Sequence, residues 1–368
     1  MTDPARFRPT RAEVDLAAIR HNVSVLRPPG AELMAVVKAN AYGHGAVPVA
    51  RAALEAGATW AGVALVEEGL ELRLAGIEAP ILVLSEFPRG SEAVALAHRL
   101  TPTVYTPDGL ARLAAAARGP VGVHVKLDTG MHRVGVWPPE EAPAFLTAVL
   151  AAGLEVEGVW THLARSEDDA SVTATQLERF TGVLDAARAR GVRPRYVHAS
   201  NSAAVLCHPE ARFDLVRPGI ALYGIPPAPG VGEDAGLRPA LSWRSAVAMT
   251  KRLPAGERLS YGLRYELANE ATIATVPVGY ADGYPRPASG SARVLIRGRR
   301  MPVAGTITMD QLLVDCGDEE VHAGDEVVLI GEQGGATITA AEVGAWAGTI
   351  AYEIVTRIGA RVPREHVG

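Results

Sequence analysis

The residues best suited to chemistry follow a short apolar run near the N-terminus. Residues 33–37 are apolar, and the polar segment after them contains Lys38 and Tyr42. A lysine beside apolar residues is partly desolvated, which lowers the pKa of its amine and populates the neutral form that attacks carbonyl groups. The structural alternative is a surface lysine at the end of a strand. Only three of the 36 basic residues are lysines (Lys38, Lys126 and Lys251), and arginine cannot form an imine. We therefore expect a chemical role for Lys38.

Further polar segments follow other predicted strands, at residues 126–133, 161–162, 198–202 and 217–220. Ser202 begins a predicted short helix, whose first N–H groups and hydroxyl can hold a phosphate. Gly219 permits the backbone to approach the same anion closely. A lysine that forms an imine, together with a phosphate site, points to pyridoxal phosphate (PLP) as the cofactor.

Short β-rich runs alternate with Ala- and Leu-rich helical stretches from residue 32 to about residue 217. Strands are predicted at residues 33–38, 59–64, 80–84, 102–105, 121–128, 154–160, 195–198 and 213–216. Helices are predicted at residues 46–56, 67–75, 110–117, 141–151 and 173–190. Eight strands with helices between them favour an α/β fold with an N-terminal (β/α)8 barrel of TIM type over an open doubly wound sheet. The active site of such a barrel lies at the C-terminal ends of its strands, where the polar segments stand.

A Pro- and Gly-rich connector at residues 225–232 indicates a domain boundary. We therefore predict a barrel domain at residues 1–232 and a smaller, mainly β domain at residues 233–368. The β domain has alternating runs between Gly and Pro residues, and one helix is predicted at residues 338–346. The first ~12 residues are expected to pack on the β domain, because residues 12–22 begin strand-like and turn helical.

The composition excludes several classes of protein. The chain has 368 residues, of which 48% are hydrophobic and 21% charged, and its net charge is −5. These values disfavour disorder and give no general attraction to nucleic acid or anionic membranes. No apolar run reaches the ~18 residues of a transmembrane helix, and residues 1–4 lack the apolar stretch of a secretory signal. Cys207 and Cys316 form no CxxC pair, so we expect two buried thiols, no disulfide, no metal site and a cytoplasmic location.

Together, these motifs closely resemble the alanine racemase family of PLP enzymes, in which a barrel is followed by a β domain. Residues 36–45, Val-Val-Lys-Ala-Asn-Ala-Tyr-Gly-His-Gly, are similar to the PLP-lysine signature of that family. Other similar segments follow in the family's order, at residues 126–133, 217–224, 260–265, 277–286, 305–315, 352–354 and 361–364. The resemblance extends from Val14 to Arg364 and implies interconversion of L- and D-alanine, with D-alanine supplied for peptidoglycan.

The resemblance also implies a set of cofactor contacts. Lys38 would carry PLP, and Arg217 would donate a hydrogen bond to the pyridine nitrogen. His162 would lie behind Tyr261 and form a polar relay with Arg217. The phosphate would be held by hydroxyl and backbone groups, namely Tyr42, Ser202, Tyr352, and the backbone of Gly219 and Ile220.

For the substrate, the resemblance implies two acid/base groups, Lys38 and Tyr261. Racemisation removes a proton from one face of Cα and returns one to the other face, so a group on each face is needed. Since an ordinary phenol is a poor base at neutral pH, we expect His162 and Arg217 to act as cations that lower the pKa of Tyr261. The remaining substrate contacts implied are Arg133 and the Met309 backbone at the carboxylate, a carbamylated Lys126 bridging to Arg133, and Tyr265, Tyr280 and Asp310 at the entrance.

The family resemblance implies a head-to-tail homodimer, in which the β domain of one subunit supplies Tyr261 to the barrel of the other. Two departures from the family's pattern concern pocket size and local backbone geometry. Residues 305–310 read Gly-Thr-Ile-Thr-Met-Asp where the family often has Gly-Arg-Val-Cys/Ser-Met-Asp, and Ala351 stands before Tyr352 where proline is usual.

Four alternatives remain at this point. The same scaffold could racemise another small amino acid, such as serine. A barrel-type PLP decarboxylase of diamino acids is disfavoured by Arg217, because a carboxylate at the pyridine nitrogen would make the stronger electron sink that decarboxylation needs. A non-catalytic PLP carrier would resemble the barrel alone. A binding protein with a degenerate site is disfavoured by the number of intact motifs.

Overall fold

The computed structural model describes residues 7–368, which form two compact units. The first unit is Ala17–Arg238, and the second combines residues 7–16 with Pro239–Gly368. Residues 1–6, on which the signal-peptide prediction and part of the N-terminal prediction fall, lie outside the described residues. The division lies after Arg238, whereas we predicted a boundary after residue 232. Asn22 explains this difference, because its side chain exchanges two hydrogen bonds of 2.8 Å with the backbone of Arg238 and keeps this stretch on the first unit.

The first unit is a parallel barrel, which confirms the predicted fold class. Its strands are Glu32–Val36, Trp60–Val63, Ile81–Val83, Leu100–Thr101 with Thr103–Val104, Gly122–Lys126, Glu155–Trp160, Tyr196–His198 and Leu215–Val216. The strands form two parallel sheets, and Leu215–Val216 returns to pair with Glu32–Val36. Next to Tyr196–His198, the closure consists of hydrogen bonds from the Asp214 N–H to the Val197 carbonyl and from the Arg217 N–H to the Ser200 carbonyl, both at 3.0 Å. The fourth strand is interrupted at Pro102, since proline has no N–H to donate to a ladder. Its carbonyl still accepts from the His124 N–H at 2.9 Å, which continues the barrel.

Helices connect these strands. Leu16–Leu26 precedes the first barrel strand, and the connecting helices are Ala46–Glu55, Val66–Leu74, Glu92–Ala97, Pro107–Ala116, Ala142–Ala151, Ala170–Ala189 and Ser202–Cys207. Lys38–Tyr42 is a short left-handed segment. The five longer predicted helices are present with ends shifted by a few residues. Glu92–Ala97 was not predicted, because its six residues are too few for an apolar periodicity to show.

The second unit is mainly β, as predicted. Its strands are Arg11–Asp15, Leu241–Ala246, Met249–Leu253, Arg258–Leu259, Tyr265–Glu266, Ala271–Val276, Arg293–Ile296, Arg299–Pro302, Leu312–Asp315, Glu326–Gln333, Ala336–Ile338 and Arg364–Val367. Arg11–Asp15 pairs antiparallel with Leu241–Ala246 and parallel with Arg364–Val367, so the N-terminal strand belongs to this unit. The helix Ala340–Ala347 confirms the one predicted at residues 338–346, whereas the helix Ala351–Arg357 was not predicted.

A buried carboxylate organises the tyrosine-rich turn of the second unit. Asp282 is fully buried, and Arg8 binds both of its oxygens, at 2.7 and 3.0 Å. The same carboxylate accepts from the Gly279 N–H at 3.0 Å. Because a buried charge is tolerated only when it is paired and hydrogen-bonded, this cluster fixes the start of the Tyr280–Asp282 turn.

One prediction on the cysteines was wrong. Cys316 is buried, but Cys207 is exposed, because it is the last residue of the short helix Ser202–Cys207. Both thiols are free. No helix within residues 7–368 is long and apolar enough to cross a membrane.

The first barrel strand leads into a left-handed turn. The four residues after Lys38 have φ angles between 51° and 53°: Ala39, Asn40, Ala41 and Tyr42. Each non-glycine residue in this region costs roughly 1–2 kcal/mol relative to the right-handed conformation. Two side chains hold the turn. Glu68 accepts from the Ala39 N–H at 2.6 Å, and Asn40 accepts from the Ala46 N–H at 2.8 Å. The turn fixes the backbone of Lys38 at the end of its strand.

Replacing Ala39 by glycine tests this turn. Glycine adopts positive φ without steric cost, so Ala39→Gly is expected to raise the free energy of unfolding by about 1 kcal/mol. Ala111→Gly is the matched control, since Ala111 is an exposed alanine in the right-handed helix Pro107–Ala116, where glycine costs about 1 kcal/mol. Urea unfolding should therefore show shifts of opposite sign. Equal destabilisation by both variants would exclude the left-handed turn.

Candidate active site

Lys38 stands at the carboxyl end of the first barrel strand and is half-buried. Burial lowers the pKa of its amine, and the nearby positive charge of Arg133 lowers it further. The negative charge of Glu68 acts in the opposite direction. A larger neutral fraction than that of an ordinary lysine is therefore available at this position, as the sequence predicted.

Lys126 is a second perturbed lysine, at the end of the strand Gly122–Lys126. It is buried, and its Nζ lies 4.4 Å from the centre of the Trp160 ring. Burial, followed by the charges of Arg133 and Arg217, lowers its pKa to about 7. The amine is therefore close to half neutral at physiological pH. No hydrogen bond joins Lys126 to Arg133 within residues 7–368, so the predicted bridge would need the acceptor oxygens of a carbamate.

Arg217 is the most unusual charge in the barrel, because it is buried and has no acidic partner within the described chain. Its Nη2 donates to the carbonyls of Thr161 and Ala199 at 2.8 and 3.1 Å, and its Nη1 donates to His198 Nδ1 at 2.9 Å. Burial lowers the pKa of the guanidinium to about 9, which leaves it protonated at neutral pH. A guanidinium has five N–H donors. The Nε–H and one Nη1–H have no protein acceptor within residues 7–368, so they can serve a bound molecule.

His162 lies beside this arginine, with Nδ1 3.4 Å from Arg217 Nη2. Burial lowers the pKa of His162 well below its ordinary value, and the charge of Arg217 adds to the effect. The imidazole is therefore neutral. Our expectation that His162 is a cation was wrong, because burial, and after it the positive charge of Arg217, favours the neutral imidazole. Arg217 remains as the candidate cation.

Ser202, Gly219 and Tyr42 form a candidate anion site. The Ser202 hydroxyl accepts from the N–H groups of Gly219 and Ala221, at 2.9 and 3.2 Å. Because both lone pairs are engaged, its remaining capacity is to donate its proton. A Cβ at Gly219 would overlap the Tyr42 hydroxyl, so only glycine leaves this space open. Burial raises the pKa of Tyr42 to about 12, which keeps its hydroxyl a donor. Ile220 follows in the buried turn Ile220–Tyr223.

These groups fit PLP. The cofactor carries a carbonyl for an amine, a phosphate for clustered donors and a ring nitrogen that accepts a hydrogen bond. The barrel supplies Lys38 for the first, the donors around Ser202 for the second, and the unused N–H groups of Arg217 for the third. Arg133 places a positive charge near Lys38, which suits an anionic cofactor and a substrate carboxylate.

The other predicted residues belong to the second unit. Tyr261 is 74% exposed and begins the turn Tyr261–Leu263. Two hydroxyls hold its backbone: Thr306 Oγ1 donates to the Tyr261 carbonyl at 2.8 Å, and Ser260 Oγ donates to the Thr306 carbonyl at 2.6 Å. Thr306 is one of the departures from the family's pattern, and it therefore has a defined local role. The phenol of Tyr261 is presented at the surface of its unit.

The predicted entrance residues form a connected segment of the second unit. The N–H of Tyr280 donates to the Thr308 carbonyl, and that of Ala281 donates to the Met309 carbonyl, both at 3.0 Å. Met309 and Asp310 are exposed, and Asp310 accepts from Arg361 at 2.8 Å.

Two further tyrosines lie in the same unit. Tyr265 donates to Asp315 at 2.8 Å, and burial together with this carboxylate raises its pKa to about 12. Tyr352 is half-buried in the helix Ala351–Arg357. All these residues remain candidates for the roles given above.

Sequence reasoning missed the residues that support the site from below. Glu68 holds the turn after Lys38, Trp160 packs against both Lys126 and Arg217, and Tyr223 donates to the Val36 carbonyl at 2.8 Å. Their sequence signals are weak, since a helical glutamate or a buried aromatic residue is ordinary in a barrel. Only spatial proximity reveals their role.

Comparison with known families gives a full-length match. The model for the N-terminal domain of alanine racemase matches residues 14–227, and that for the C-terminal domain matches residues 240–366. The alanine racemase of Symbiobacterium thermophilum is 51% identical over 373 aligned positions, covering 98% of each chain. That of Frankia casuarinae is 47% identical and covers 97% of this chain and 96% of its own.

Solved structures agree with the sequence comparison. The alanine racemase of Streptomyces coelicolor A3(2) has a TM-score of 0.94 and 45% identity, covering 99% of each chain. The alanine racemase of Bacillus anthracis, solved with bound L-Ala-P, has a TM-score of 0.91 and 41% identity, covering 98% of this chain and 96% of its own. Both halves of the chain, in sequence and in fold, match in order and over nearly their whole length, and the chain therefore belongs to the alanine racemase family.

Proposed function

We propose that this enzyme interconverts L- and D-alanine with PLP bound at the mouth of its barrel. The single observation that carries this proposal is the buried guanidinium of Arg217, which has unused N–H donors and no acidic partner among residues 7–368. A site for a stronger electron sink would place a carboxylate here. An arginine keeps its proton and would leave the ring nitrogen unprotonated, so the bound cofactor would be a weaker electron sink, which suits proton transfer at Cα.

The residues of the barrel would divide the work of binding. Lys38 would hold PLP covalently, while Tyr42, Ser202, Tyr352 and the backbone of Gly219 and Ile220 would bind its phosphate. When bound, PLP supplies delocalisation of the negative charge that develops at Cα. Arg133 and the Met309 backbone would bind the substrate carboxylate, and Tyr265, Tyr280 and Asp310 would line the entrance.

In the proposed mechanism, two groups on opposite faces of Cα transfer the protons. Burial lowers the pKa of Lys38, so its free amine would take a proton from one face of Cα. Tyr261 would hold or return a proton at the other face. His162, which is neutral, would contribute a hydrogen bond in the relay with Arg217 and no charge.

The assembly would be a head-to-tail homodimer with composite sites. Tyr261 and Met309 are 74% and 53% exposed, an unusual exposure for groups that have to meet a buried reaction centre. A second copy of the chain that brings its barrel to this surface would bury them. D-alanine for peptidoglycan, made in the cytoplasm, is the proposed physiological product; the free thiols Cys207 and Cys316 are in keeping with a reducing compartment.

The activity is tested with the purified chain and single L-amino acids. Circular dichroism should show racemisation of L-alanine, with L-serine as a comparison substrate. Lys38→Ala is expected to lower kcat by at least about a thousandfold, because a positioned acid/base group is lost along with the attachment point. Borohydride reduction and peptide mapping should place the cofactor on Lys38. Lys251→Ala, at an exposed lysine, is the matched control and should retain activity and labelling. Faster turnover of L-serine than of L-alanine would contradict the proposed substrate.

Mixing two inactive variants tests the composite site. Lys38→Ala and Tyr261→Phe chains are each expected to be inactive, and subunit exchange should restore roughly a quarter of normal sites, because each mixed dimer keeps one intact site. Mixing either variant with itself is the control. Subunit exchange without recovery would mean that both groups of a site come from one chain.

Carbamylation of Lys126 should depend on pH. Its pKa of about 7 lies below that of an ordinary lysine, so the neutral amine that reacts with CO2 becomes dominant as the pH rises above 7. At constant dissolved ¹³CO2, a carbamate resonance in the ¹³C NMR spectrum is expected to grow between ~pH 6 and ~pH 8. Lys126→Met should abolish this resonance, whereas Lys251→Met should leave it unchanged. A resonance that survives Lys126→Met would assign the carbamate elsewhere.

A further inference from the structure

Two buried histidines continue the hydrogen bonds of Arg217 into the barrel interior. Arg217 Nη1 lies 2.9 Å from His198 Nδ1, and His198 Nε2 lies 2.8 Å from His124 Nδ1. Both imidazoles are completely buried. Neither has a role in the proposed function, and burying a polar side chain costs free energy unless it is hydrogen-bonded, as these two are.

The donor chemistry of arginine fixes the proton positions along the hydrogen-bonded line of Arg217, His198 and His124. A guanidinium can only donate, so His198 Nδ1 must accept and cannot carry a proton. His198 must then carry its proton on Nε2 and donate it to His124 Nδ1. His124 in turn carries its proton on Nε2. Each imidazole is thus neutral and present as a single tautomer.

We propose that His198 and His124 are positioning residues, which hold the Arg217 guanidinium through neutral imidazoles of one tautomer and so leave its Nε–H for the cofactor ring. This inference rests on the proposed place of Arg217 at the pyridine nitrogen. The two histidines would act on the active site through Arg217, without contacting the substrate.

The packing around the two rings supports this assignment. His198 stacks on Trp160 with an interplanar angle of 6° and a centroid distance of 5.6 Å, and the same indole lies 4.8 Å from the Arg217 guanidinium. A Cβ at Gly158 would overlap the His124 ring, so the strand has glycine where this ring needs space. The two imidazoles therefore have one available orientation each.

The surrounding charges keep both rings neutral. Burial lowers the pKa of His124 to about 3 and that of His198 well below its ordinary value, and Arg217 adds to both effects. The nearest carboxylate is that of Glu157, whose Oε2 lies 3.9 Å from His124 Nε2. The His124 Nε2 has no hydrogen-bond partner in the described part of the chain. The line therefore ends without a full ion pair.

A neutral acceptor suits this position better than a carboxylate would. A carboxylate would also orient the guanidinium, but it would compensate its charge and weaken its field at the cofactor. A neutral imidazole orients the same group and leaves its charge intact. Arg217 thus remains the dominant charge at the base of the site.

Variants of His198 separate positioning from packing. His198→Leu keeps the bulk and removes the acceptor, so PLP affinity is expected to fall at least about tenfold, as for loss of a hydrogen bond to a charged group. His198→Asn retains an acceptor near the Nδ1 position and should recover most of the loss. His124→Leu and His124→Asn make the same comparison of PLP affinity at the residue that is bonded to His198. His208→Leu, at another buried histidine that contacts the Ser166 carbonyl, is the control and should bind PLP as the wild type does.

A spectroscopic measurement tests the line directly and needs no variant to fold. In the full-length chain labelled with ¹⁵N-histidine, two imidazoles assigned to His198 and His124 should show the Nε2–H tautomer from ~pH 6 to ~pH 9, with and without added PLP. In His198→Leu, His124 should lose its fixed tautomer.

The outcomes distinguish this inference from the proposed function. An Nδ1–H tautomer at His198, titration of either ring in this range, or unchanged PLP affinity in a folded His198→Leu would overturn the positioning role. A wild-type chain that shows the expected tautomers but binds no PLP would overturn the proposed function, and with it the cofactor role of both histidines. Loss of affinity in the leucine variants and recovery in His198→Asn would support the inference.

Discussion

A buried positive charge without a carboxylate partner is the constraint on which the rest of this barrel depends. Arg217 is held by carbonyl groups and a neutral imidazole, which satisfy its geometry without cancelling its charge. Burial of such a charge is unfavourable by itself, so the fold tolerates it only with several hydrogen bonds and with unused donors available to a bound molecule. The site therefore suits a ligand that accepts hydrogen bonds and carries negative charge.

The same charge sets the protonation of its neighbours. It lowers the pKa of Lys126, His162, His198 and His124, in each case together with burial. Lys126 is left near neutrality, and the histidines remain uncharged. Burial, with Arg217 as a second cause, keeps the histidines neutral, and burial with Arg133 and Arg217 increases the neutral fraction of Lys126. The pKa of Lys38 is lowered mainly by burial and by Arg133, so the candidate nucleophile does not depend on Arg217 for this shift.

The two candidate proton-transfer groups belong to different units of the chain. The barrel contains Lys38, and the β unit presents Tyr261 on an exposed turn held by Ser260 and Thr306. A reaction that needs groups on opposite faces of one carbon is well served by elements that are built independently. Within the β unit, the contacts between Arg8 and Asp282 anchor the turn that contains Tyr280.

The sequence by itself determined the barrel, the β domain and the candidate residues at strand ends, because apolar runs with period-specific spacing and motifs such as residues 36–45 are local signals. It also determined the family, since its motifs occur in order along the chain. Only the tertiary structure decided that His162 is neutral, that Cys207 is exposed, and that His124 and His198 line up below Arg217. The physical reason is that protonation and exposure depend on neighbours distant in sequence: a pKa responds to burial and to charges across the barrel, and neither quantity is encoded in the residue types alone.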